Sequence, residues 1–356
     1  MTIRRLLGQL AIGRDNNFNL IRMLAASGVI LSHAYPMGLG PDTPEPLEGI
    51  LKGDNLGRLC VFVFFAISGF FITASFDRRK SIVDFIMCRA LRIYPGLIVM
   101  LLVMLPLVGW IDGQGAAFLA QLPIGIFNQT VMFFQIGDAN NPPYRLFAEN
   151  PLPNAFNGSL WTLRFEIMCY VGVVIAGYLA IFRHRGAALT VLVLAVLGNY
   201  FLPMITGRYD VIMLSYVGLP FAFGAAAYVW RNQLVLDGRV VLGLLCLSAA
   251  LQPTFLFFPV MIMTISCSVL WLGYVDIPVV KSYNRLGDYS YGIYIYAFPI
   301  EQLVAKAGFT QPLKLASITF VVTLVFAIVS WHFVEKPALG LRKGRIAPEL
   351  GTVLGT

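Results

Sequence analysis

The chain is 356 residues long, 58% hydrophobic and only 12% charged, with a formal net charge of +8. Soluble domains hold about 25% charged residues, so a water-soluble globular protein is excluded and lipid is the expected solvent. The positive balance is what membrane topology and anionic lipid require, and it calls for no nucleic-acid partner.

Residues 1–16 set Ile3, Leu6, Leu7 and Leu10 among Arg4, Arg5 and Arg14, which predicts a basic interfacial helix. No small-x-small cleavage site follows, so no cleavable signal is expected. From 17 to 337, mostly apolar stretches of bilayer-spanning length recur. Ten spans are expected, at 17–36, 56–76, 93–111, 160–182, 187–205, 211–230, 239–254, 257–274, 288–306 and 314–334. The apolar stretch from Phe118 to Ile136 is broken by Pro123, Gly125 and Asn128 and is expected to be re-entrant or interfacial. Residues 338–356 make a basic tail. The expected fold class is therefore all-α: a polytopic integral membrane protein of about ten transmembrane helices. With the N-terminus inside, most Lys and Arg residues fall in inner segments, while Asp42, Glu45, Glu48, Asp138 and Glu149 collect outside. That asymmetry places both termini in the cytosol.

The first span carries Arg22 and His33, eleven residues apart. Eleven residues is almost three helical turns, so both fall on one face, roughly 16 Å apart along the axis. Ionisable groups in a spanning helix usually face a bundle interior or a wet cavity. His33 could be a general base or a helix-packing histidine, and spacing alone leaves both open. Arg22 could equally snorkel to the interface. In the second span, Ser68-Gly69 sits among aromatics, where a small pair allows close backbone approach. Arg89 and Arg92 share a helix face on the expected cytosolic side. Guanidinium forks suit a phosphate-rich ligand, although such a cluster can also simply touch lipid head groups.

Further on, Asn157-Gly158 signals a turn and Ser159 a helix start. Trp161 suits the outer interface. Thr162, Glu166 and Tyr170 follow at i, i+4 and i+8 and form one polar stripe. A carboxylate there must be paired or wet. Glu166 could orient a histidine, bind a sugar hydroxyl, or pair with Arg164 or Arg58. The five cysteines lie in or near spans without CxxC spacing and read as buried small hydrophobes. Three scattered histidines without HExxH predict no metal site.

At these residues the chain resembles the acyltransferase-3 membrane proteins, which acylate bacterial surface carbohydrates. Arg22-x10-His33 resembles the family's first-helix motif, and Phe64-Phe-Ala-Ile-Ser68-Gly-Phe-Phe-Ile72 its second helix. Arg89-Ala-Leu-Arg92-Ile-Tyr-Pro95 is similar to its RxxR segment, and Ser159-Leu-Trp161-Thr-Leu-Arg-Phe-Glu166 to its acid-bearing segment. Asp288 to Pro299 and Ser330 to Pro337 resemble its ninth helix and closing motif. Many relatives carry a histidine within the ninth-helix block, where this chain has Tyr296-Ala297-Phe298. Some add a hydrolase-like domain after the core, which is not expected here.

The resemblance implies an O-acyltransferase, most often an acetyltransferase, using cytosolic acyl-CoA as co-substrate with no permanently bound cofactor. His33 and Glu166 would be catalytic, and Arg22, Arg89 and Arg92 would hold the donor. Ser68, Trp161, Thr162 and Tyr170 are the candidate acceptor contacts. Direct transfer and an acyl-His33 intermediate both remain open. The expected acceptor is a surface glycan or lipid-linked saccharide, and the expected location the bacterial inner membrane. Membrane lipids, polysaccharide-synthesis proteins or a second copy of the chain are the other expected partners. Two other classes stay in view: a transporter or flippase with Arg22, His33 and Glu166 along its path, and a non-catalytic subunit of an export machine.

Overall fold

A computed structural model describes residues 6–11, 16–51, 53–79, 81–132, 146–277, 280 and 283–341. Regular structure among the described residues is helical, with one isolated backbone bridge between Leu6 and Val235. Among the described residues, seven helices are long and apolar enough to cross a membrane. They are α3 (Leu56–Asp77), α4 (Ile82–Ile111), α6 (Trp161–Tyr178), α7 (Arg185–Thr206), α8 (Tyr209–Val229), α10 (Phe257–Tyr274) and α12 (Pro312–Ser330). The other three expected spans fall on helices that do not meet both conditions. Helix α2 (Phe18–Leu39) is long but less apolar, while α9 (Gly238–Ala250) has 13 residues and α11 (Ser290–Lys306) has 17. The protein is a polytopic helical membrane protein, because a helix satisfies its own backbone where lipid cannot.

Local sequence sets several helix ends. The Asn55 side chain accepts from Arg58 N ahead of α3, Ser81 from Asp84 N ahead of α4, and Asp237 from Arg239 N ahead of α9. Gly207, at φ 57°, closes α7 in the left-handed conformation. Helix α4 begins eleven residues before the expected span at 93, so Arg89 and Arg92 ride on the helix itself. The segment after α4 folds as α5 (Ala116–Phe127) and a π-turn over Asn128–Met132, and the rest of the expected re-entrant stretch lies outside the described residues.

The chain divides into two compact units. The first takes Met1–Ala25, Asp54–Lys80 and Thr162–Gly287, and the second takes Ala26–Gly53, Ser81–Trp161 and Asp288–Thr356. In the first unit α3 and α8 cross at reciprocal glycines. A Cβ on Gly69 would sit 2.0 Å from the Phe221 carbonyl oxygen, and one on Gly224 would sit 2.1 Å from that of Ala66. This is small-residue packing of membrane helices, the close approach expected of the Ser68-Gly69 pair. A core of Leu7, Phe18, Ile67, Phe70, Tyr228, Val269 and Leu270 lies beside it. Of the expected N-terminal helix, the described part is one turn, α1 (Leu7–Leu10), pinned by Leu7 N to Leu234 O and Gly8 N to Arg231 O at 2.8 and 2.7 Å.

In the second unit α11 packs closely on α12, where a Cβ on Gly292 would lie 2.8 Å from Ala327 Cα. The segment before α6 is tied to α11 by buried amides. Gln302 Nε2 donates to the carbonyls of Leu152 and Ala155, both at 2.9 Å, and Asn150 Nδ2 donates to Gln302 Oε1 at 2.7 Å. Lys306 Nζ meets Asp112 Oδ1 at 2.6 Å, joining the ends of α11 and α4.

Candidate active site

The second unit holds His33, Arg89, Arg92 and Trp161 of the expected site residues. His33 is 26% exposed on α2, and its Nδ1 lies 3.4 Å from Oε2 of Glu301 on α11. Glu301 is fully buried, and neither of its oxygens accepts a hydrogen bond of normal geometry among the described residues. The separation exceeds that of a good N–H···O bond, so the pair is a close approach of acid and imidazole and does not lock the ring. With Nδ1 turned to the acid, Nε2 is the ring nitrogen that faces away from it. Phe298, one turn earlier on α11, packs on the imidazole with ring centroids 5.4 Å apart at 77°. Next to His33 in the chain, Ser32 donates its hydroxyl to Glu45, so this acid of the expected outer loop is buried in place of being solvated.

The two arginines of the RxxR segment are treated differently. Arg92 donates to Asp288 Oδ2 at 2.6 Å, lies 3.9 Å from Glu335 and covers the Tyr291 ring. Ser290 and Ser330 donate to the same two acids, at 2.6 and 2.9 Å, and Tyr291 donates to Ile93 O at 2.6 Å. The Arg92 guanidinium is therefore already committed to two carboxylates, and it joins α4, α11 and the π-turn Trp331–Glu335. Arg89 differs: its buried Nε has no hydrogen-bond partner among the described residues.

The first unit holds Arg22, Ser68, Thr162, Glu166 and Tyr170. Arg22 is partly buried near the start of α2. Ser68 Oγ donates to Glu166 Oε1 at 3.3 Å, and the Tyr170 hydroxyl donates to the same oxygen. Thr162, on the same stripe, is buried. Of the three roles open to Glu166, ion pairing to Arg164 or Arg58 is not what the structure has. Arg164 grips Asp210 with two bonds, at 3.0 and 3.1 Å, and Arg58 meets Asp54 at 3.2 Å. The acid brought to His33 is Glu301, which sequence reasoning passed over although an acid inside an apolar span is itself a site signal.

A family model described as an acyltransferase domain matches residues 15–333. The chain belongs to this acyltransferase-3 family. The chain is similar to two curated relatives along nearly its whole length. It is 28% identical over 343 residues to an O-acetyl transferase of Shigella phage Sf6, covering 91% of this chain and 96% of that one. It is also 28% identical over 372 residues to Nodulation protein 10 of Rhizobium leguminosarum bv. viciae, covering 95% and 97%. No solved structure matches the chain. Every candidate residue, from Arg22 to Glu301, lies inside the stretch the acyltransferase-3 model covers.

Proposed function

We propose that this acyltransferase-3 protein is an O-acetyltransferase of the bacterial inner membrane, carrying acetyl from cytosolic acetyl-CoA to a hydroxyl of an exported or lipid-linked glycan. The observation that carries the reading is His33 on α2, turned by Nδ1 to the buried Glu301 with Nε2 left over. Ten membrane passes with both termini in the cytosol complete the picture, as the charge asymmetry supports.

In the reaction His33 Nε2 takes the proton of the acceptor hydroxyl. The oxygen attacks the thioester carbonyl, the carbon–sulfur bond breaks, and the CoA sulfur leaves with the proton from the imidazolium. Glu301 steadies the imidazolium while it exists. Arg89 binds the anionic end of the donor, Arg22 adds a second cation on the expected cytosolic side, and Arg92 holds the helices that carry the site. Glu166, with Ser68, Tyr170, Thr162 and Trp161, serves the acceptor side. An acyl-His33 intermediate would show as ping-pong kinetics.

The test is transfer of label from radiolabelled acetyl-CoA to glycan by the protein purified in detergent. The wild type should transfer, and His33→Ala at matched protein level should fall by about 10²–10⁴. Near wild-type transfer by His33→Ala would overturn the reading.

A further inference from the structure

The 3.4 Å contact with Glu301 is too long to fix the His33 ring by itself, so something else must hold its orientation. Phe298, 5% exposed, lies edge-to-face with the imidazole. Gly158 lies against the same Phe298 ring. A Cβ on Gly158 would lie 2.5 Å from Phe298 Cε2 and 2.8 Å from Cζ. Gly158 is not in the left-handed region, so an alanine could adopt its backbone, and only space excludes the side chain.

The loop cannot retreat from that collision. Asn157 Nδ2 donates to the Ile295 carbonyl at 2.7 Å, and Tyr294 donates its hydroxyl to the Ser159 carbonyl at 2.7 Å. Gly158 is thus pinned from both sides to the helix that carries Phe298. Pro299 explains why one pin exists. In a regular helix the N–H of residue 299 would donate to Ile295 O, but proline has none. The freed carbonyl, needing a donor inside the membrane, receives the Asn157 amide.

We propose that Gly158 and Phe298 are positioning residues for His33: the loop, anchored at the carbonyl that Pro299 frees, backs the Phe298 ring, and that ring holds the imidazole at its working angle. This rests on His33 being the base. A methyl at Gly158 drives the Phe298 ring into the imidazole. A smaller side chain at 298 removes both the collision and part of the support.

The experiment measures kcat, donor KM and thermal stability for Gly158→Ala, Phe298→Leu, the double variant and His33→Ala. Gly158→Ala should lose kcat by up to about 10²-fold, the cost of a misplacement of order 1 Å, with donor KM unchanged. The double variant should recover most of that loss, ending near Phe298→Leu, because leucine clears the space the methyl needs. A merely structural clash would also be relieved at position 298, but Phe298→Leu alone would then keep wild-type kcat. Wild-type kcat in a stable Gly158→Ala, or no recovery in the double variant, overturns the proposal. If Gly158→Ala does not accumulate, an unchanged kcat in Phe298→Leu overturns it alone. An active His33→Ala would instead refute the base itself, a distinct result.

Discussion

Glu301 reaches His33 from a fully buried position on α11, 3.4 Å from Nδ1, with no other donor satisfying its oxygens among the described residues. On the proposed reading, this acid receives the Nδ1 side of the imidazole and supports its charge when Nε2 takes a proton.

Replacing Glu301 by Gln keeps the shape and removes the charge. No arginine or lysine is stranded, since the acid's neighbour is His33, so stability should change by no more than about 1–2 kcal/mol. Transfer should drop by roughly 10²-fold or more, because the imidazolium loses its support. Thermal unfolding beside the transfer assay checks both, and an active variant would reduce Glu301 to a packing residue.

Arg89 and Arg92 should separate in one experiment. Arg89→Ala is expected to weaken CoA binding, through loss of charge-assisted bonds worth about 1.5–3 kcal/mol, and to leave stability intact. Arg92→Ala strands Asp288 and Glu335, which are largely buried, and should cost roughly 3–5 kcal/mol of stability. Calorimetric titration with CoA and unfolding in detergent should thus rank the two variants in opposite orders. Equal effects on both measurements would refute the division of roles.

Glu166 accepts from two hydroxyls and faces no arginine partner among the described contacts, so Glu166→Gln should unfold close to wild type. If it serves the acceptor, the variant should transfer poorly at ordinary glycan levels and bind CoA normally. Tyr170→Phe, which removes one of the two donors, should move the same way by a smaller amount, about 1 kcal/mol in acceptor-dependent rate. A Gln variant that transfers normally removes Glu166 from the site.

The α3–α8 crossing predicts a stability effect. Gly69→Ala and Gly224→Ala each push a methyl against a backbone carbonyl that cannot swing away. Each should destabilise by about 1–3 kcal/mol, the usual cost of overpacking. Gly172→Ala, where a Cβ would meet nothing within 4 Å, is the matched control and should be neutral. Melting temperatures of the three variants decide it.

Much of the architecture was legible along the chain because burial in lipid is a local demand. Each span must satisfy its own backbone and present apolar side chains, so hydropathy alone located the seven spanning helices among the described residues, though not the early start of α4 at Ile82. The register of Arg22 and His33 on one helix, and of Thr162, Glu166 and Tyr170 on another, follows from the 3.6-residue turn and needed no coordinates. The partners were a different matter. Which acid meets His33, which arginine is spent on Asp288 and Glu335, and what fills the Ile295 carbonyl depend on which helix faces touch. Glu301 and Asn157 lie far from His33 and Ile295 along the chain, and no periodicity relates them. Helix propensity and hydropathy are properties of a segment, whereas an ion pair or a wedged ring belongs to two segments at once, so tertiary packing alone brought Glu301 to the histidine.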